Sequence, residues 1–179
     1  VPTEAPVRTS LVLVPFAVGA AVAVGVGVYG GLHTPQGYSI NISGFSSTQA
    51  VKSWLTTGAF VFALVQLLSA LMVYGKIKGP RWSGTLHRWS GRLAVLLTVP
   101  VVVHCLYALG FDPSSPRVLA HSLLGCFFFG AFTAKMLVLT RKGVPGWALP
   151  LIGGLVFTGL VALWLTSALW FFTTTGVTF

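Results

Sequence analysis

Leu86-His87-Arg88-Trp89-Ser90-Gly91-Arg92 opens a stretch that continues through His104-Cys105, the turn Phe111-Asp112-Pro113-Ser114-Ser115-Pro116, and His121-Ser122-Leu123-Leu124-Gly125-Cys126. Between Leu93 and Cys126 the only charged residues are Asp112 and Arg117. Each apolar arm, at about 1.5 Å per residue, approaches or exceeds the roughly 30 Å of a bilayer core. The stretch therefore reads as two antiparallel membrane helices joined by a tight turn. It carries three of the chain's four histidines, and an imidazole inside so apolar a segment needs a reason.

The rest of the chain follows the same pattern. Of 179 residues 55% are hydrophobic and 7% charged, with mean hydropathy +0.87, outside the balance of a water-soluble domain. Apolar runs at 10–32, 51–74, 86–109, 117–139 and 147–172 predict an all-α integral membrane bundle of five transmembrane helices, one domain over 1–179. The first run is too long and too weakly flanked by positive charge for a secretory signal, and is read as a retained span. Its Gly19, Gly25 and Gly27 suit close approach by another helix. The short connectors predict that sequential spans are antiparallel neighbours.

The net charge of +9 is concentrated in turns, which points to membrane topology and anionic lipid rather than nucleic acid. Lys76, Lys78, Arg81, Arg88, Arg92, Lys135, Arg141 and Lys142 share one side; Lys52 and Arg117 lie on the other. The positive-inside rule then places the N-terminus in the cytoplasm of a multi-pass protein of the bacterial inner membrane. Cys105 and Cys126 sit in apolar runs and read as small core residues rather than a disulfide framework.

His104 and His121 lie at matched depths, each about 8 Å inside its helix end on the outer side. Neutral imidazoles on facing helices are how b-type haem is held. Gly125, one turn after His121 on the same face, leaves room for a flat macrocycle, and Gly91 stands in the same relation to His87. His87 precedes His104 by 104 − 87 = 17 positions, which at about 1.5 Å each puts them roughly 25 Å apart. They cannot share one haem. The His87-Arg88-Trp89 cluster suits lipid headgroups or a quinone as well as it suits interfacial anchoring. His33, just beyond the first span, is an alternative axial partner for His104. Other readings of the pair are a proton or quinol site, a copper site built from His104, Cys105, His121 and His33, and plain hydrogen bonding.

His121-Ser122-Leu123-Leu124-Gly125 resembles the His-Ser-x-x-Gly segment of cytochrome b561 proteins. His87-Arg88-Trp89-Ser90-Gly91-Arg92 resembles a helix start in those and in ferric reductase-like membrane proteins. The chain also resembles an uncharacterised bacterial family of short multi-span proteins through His33 to Pro35, His87 to Gly91 and Pro145 to Pro150. The cytochrome resemblance implies a helical bundle, b-haem, and electron transfer with a quinol or other reductant; it implies His121 as an axial ligand and His87 as a second candidate.

The expected protein is thus a membrane cytochrome with one haem b near the outer face on His104 and His121, exchanging electrons between membrane quinol and an outer-face redox protein or respiratory-complex subunit. The runner-up is a haem-free structural subunit that scaffolds a larger respiratory assembly through its glycine-rich first helix.

Overall fold

The computed structural model describes residues 9–39 and 41–179; the polar start of the chain, Glu4 included, lies outside them. Five helices are long and apolar enough to span a membrane: α1 Ser10–Leu32, α2 Thr48–Val73, α3 Ser83–Leu109, α4 Pro116–Leu139 and α5 Ala148–Thr175. The shortest has 23 residues, which at about 1.5 Å each still exceeds a core of about 30 Å. No strand occurs among the described residues.

Local chemistry sets the boundaries. α2 starts three residues earlier than its apolar run because the Ser47 hydroxyl accepts from Ala50 N at 3.1 Å. Ser115 caps α4 in the same way through Val118 N, with Pro116 at the first helical position, where its missing N–H costs nothing. α3 stops at Gly110, whose φ of +72° a side chain would strain. The last turn of α3, Cys105–Leu109, and the segment Leu165–Leu169 of α5 are π-helical.

The buried positions are mostly small or hydroxylated, including Ala59, Ala63, Ser69, Ser90 and Thr98, while Leu13, Val24, Leu96 and Val103 are exposed. Lipid tails reward an outward Leu as well as a core does, so helices associate through close packing and polar contacts instead. α1 and α4 meet at a glycine pair: a Cβ on Gly19 would lie 2.6 Å from the Gly130 carbonyl oxygen. Gly25 has nothing within 4 Å of such an atom, and Gly27 meets only Cys126 Sγ at 3.5 Å. Of Gly19, Gly25 and Gly27, only Gly19 is required by backbone contact.

A polar seam joins α2 to α3. Gln66 Nε2 donates to the His87 carbonyl and to Ser90 Oγ, and His87 Nδ1 lies 3.0 Å from Ser69 Oγ and 3.2 Å from the Gln66 carbonyl. This seam corrects one expectation. Gly91 makes no room for a macrocycle, because the Gln66 amide fills the space: a Cβ there would meet Nε2 at 3.0 Å. Gln66→Leu is expected to lower stability by about 1–2 kcal/mol, by loss of interhelical hydrogen bonds and exposure of Ser90; reversible unfolding in mixed micelles checks it.

The neighbour order also differs from the expectation for short connectors. α2 packs along α3, α1 along α4, and α4 along α5, with α2 touching α5 and α1 touching only the end of α3. α3 and α4, although joined by six residues or fewer, make hardly any direct contact. Their turn is pulled aside: Phe111 N donates to the Gly30 carbonyl of α1 at 2.8 Å. The five helices form a ring, and at the end carrying residues 33–39, 41–47 and 110–115, here the loop end, the ring is hollow.

Candidate functional site

The hollow is a cavity of about 360 Å³ between the loop-end halves of the helices, at the lower end of the roughly 300–1,000 Å³ of ligand sites. Val101, Val102, Cys105, Leu106 and Leu109 of α3 form one wall; Arg117, Val118, His121, Ser122, Gly125 and Cys126 of α4 form the opposite one. Lys52, Ser53 and Thr56 of α2 and Trp170 and Phe171 of α5 close the side between them.

The state of His121 can be assigned from its neighbours. Its Nδ1 lies 3.0 Å from Thr166 Oγ1, and that hydroxyl donates its one proton to the Ala162 carbonyl at 2.8 Å. The hydroxyl therefore accepts from His121, which places a proton on Nδ1; in the neutral ring Nε2 is then the nitrogen that carries the lone pair. Nε2 has no hydrogen-bond partner among the described residues and is not sealed in protein. A ring held through one nitrogen, with the other unpartnered on a residue that lines a cavity, is the arrangement of a metal-ligating histidine with its supporting partner. Gly125 lines the same wall one turn on, with nothing within 4 Å of where a Cβ would stand, as its position in the sequence predicts.

The other histidines are elsewhere. His104 does not line the cavity. The inward stripe of α3 passes through Val101, Cys105 and Leu109 on one edge and Val102 and Leu106 on the other, and at about 100° per residue His104 falls over about 100° away from its centre. Matched depth therefore does not make His104 and His121 a facing pair in this structure. His33 is stacked against Tyr29 at 5.2 Å and tilted against Tyr107 at 4.8 Å, with Nε2 3.3 Å from the Tyr107 carbonyl, so it braces α1 against α3. His87 belongs to the α2–α3 seam at the opposite end. No group of three or more His, Cys, Asp or Glu side chains is arranged to hold a metal among the described residues, so the four-residue copper site expected as one alternative is not assembled.

Two site features were not read from the sequence. Thr166 sits in an apolar run, and its role appears only because α5 packs on α4. Arg117 extends along α5, where Nη1 donates to the Thr166 carbonyl at 2.7 Å and the guanidinium carbon lies 3.7 Å from the Trp170 ring centroid, a cation–π contact. The π-helical turn at Leu165–Leu169 loosens the regular ladder where that carbonyl is taken.

Fold and site together define a five-span helical membrane protein with a ligand-sized cavity lined by one histidine, His121. The chain matches the DUF6529 family, a family of unknown function, over residues 12–179, and belongs to it. No curated protein and no solved structure matches it.

Proposed function

We propose that this chain is a membrane cytochrome that holds a b-type haem in the loop-end cavity through His121, and exchanges electrons between membrane quinol and a redox partner at that end. The observation that carries this reading is that His121 lines a largely apolar cavity with its Nδ1 held by Thr166 and its Nε2 without a hydrogen-bond partner among the described residues. Bound there, haem supplies one-electron exchange between ferric and ferrous iron.

The chain's own residues fit this group from the α4 side. Thr166 fixes the tautomer and the ring plane of His121. Gly125 leaves the space beside it, and Val101, Val102 and Leu106 exclude water opposite. The α3 wall offers no histidine, so His121 is the one histidine lining the cavity that would hold the group in this fold; sharing it with His104 would require α3 to turn.

A reduced-minus-oxidised visible spectrum of the detergent-purified protein, with haem quantified per chain, tests the proposal. About one b-type haem per chain is expected from a single ligating histidine in the cavity. Protein without haem after expression with adequate haem supply would sink it. His87→Ala is expected to retain the haem, because that side chain is engaged between α2 and α3 at the far end.

A second reading rests on the same nitrogen. With Ser53, Thr56 and Ser122 around the cavity, Nε2 suits the hydroxyl of a quinol as a proton acceptor. It predicts a colourless protein that a photoreactive quinone labels within the cavity.

A further inference from the structure

We propose that the cavity selects a ligand bearing a carboxylate at the loop end, with Lys52 and Arg117 as its recognition pair. Assigning that carboxylate to a haem propionate rests on the reading above; the charge selection does not.

Both cations are half-buried and line the same cavity. Arg117 spends one donor on the Thr166 carbonyl and lies against Trp170. The Lys52 ammonium has no hydrogen-bond partner among the described residues. Ionisable groups within membrane helices are expensive and ordinarily have a partner. Asp112 is the only acid among the described residues; it also lines the cavity, but its Oδ1 and Oδ2 accept from Ser114 N at 2.7 Å and Ser114 Oγ at 2.9 Å. Two cations against one engaged carboxylate leave a net positive charge.

The backbone adds to it. α2 and α4 both begin at the loop end, so their positive dipole ends face the same region. The Ser47 and Ser115 hydroxyls satisfy one N–H in each first turn. Val26, Val101, Val102, Leu106 and Phe171 give the same cavity an apolar lining alongside the cations. The complementary ligand has an apolar body and an acidic head, which a neutral quinone lacks.

The test compares two acid–ester pairs on the full chain in detergent: haem against its dimethyl ester, followed by Soret absorbance, and dibrominated stearate against its methyl ester, followed by quenching of tryptophan fluorescence. The acid is expected to bind about tenfold more tightly than the ester, as one charge-assisted contact implies. Lys52→Met should remove that preference and Lys52→Arg preserve it; Lys52 makes no contact that folding needs, so both variants should accumulate. If haem fails to bind but the stearate pair shows the Lys52-dependent preference, the haem reading falls and charge selection stands. Equal affinity for acid and ester in both pairs, a preference that survives Lys52→Met, or no binding in either pair overturns the proposal.

Discussion

Replacing His121 with alanine is expected to abolish haem binding while leaving the five-helix fold intact. The imidazole makes one side-chain hydrogen bond, to Thr166, and Thr166 keeps its own bond to the Ala162 carbonyl when the ring is gone. No buried group is stranded, so circular dichroism and size-exclusion behaviour should match the parent protein. Thr166→Val separates ligand from support. It keeps shape and volume but removes the acceptor for Nδ1–H, and loss of such a partner lowers metal affinity by about 10–100-fold. The backbone carbonyl that Arg117 uses remains. His104→Ala is expected to retain haem; loss of haem there would mean that α3 turns its histidine inward on binding. Full haem occupancy in His121→Ala would remove the central residue of the proposal.

The largest stability effect is expected at the α1–α4 crossing. A Cβ at Gly130 would stand 2.5 Å from the Gly19 carbonyl oxygen and 2.8 Å from the Ala23 Cβ. Backbone cannot step aside as a flexible side chain can, so the helices must separate along their contact. Gly130→Val should cost about 3 kcal/mol, the upper end of overpacking penalties, and the chain should unfold at lower denaturant or fail to accumulate in the membrane. Gly25→Ala is the matched control. Its Cβ meets nothing within 4 Å, and the change should stay within about 0.5 kcal/mol. Equal stability of both variants would show that the glycine contact does not hold the bundle.

The haem-free subunit expected as the runner-up drew on the glycine-rich first helix as a docking surface for other chains. Gly19 is already committed to Gly130 within the chain, whereas Gly25 and Gly31 meet nothing. That division makes α1 an internal packing element first.

Span count and span limits were legible because they depend on one-dimensional quantities. Twenty or so apolar residues must cross a bilayer as helix, since no water is there to satisfy the backbone; Ser47, Ser115 and Gly110 then set the ends within a few residues. The shared face of His121 and Gly125 was legible too, because helical periodicity alone fixes what lies one turn apart. What tertiary structure alone decided was the rotation of each helix about its axis and the order of the ring. In water the inward face is the apolar one, but in lipid both faces are apolar, so Val101, Cys105 and His104 carry no mark of which points in. Contacts distant in sequence settled it: Gly19 against Gly130, Gln66 in the space of Gly91, and Gly30 drawing the α3–α4 turn aside. They turned His104 off the cavity, placed His33 between Tyr29 and Tyr107, and gave His121 its Thr166, and none of these follows from depth or spacing along a single helix.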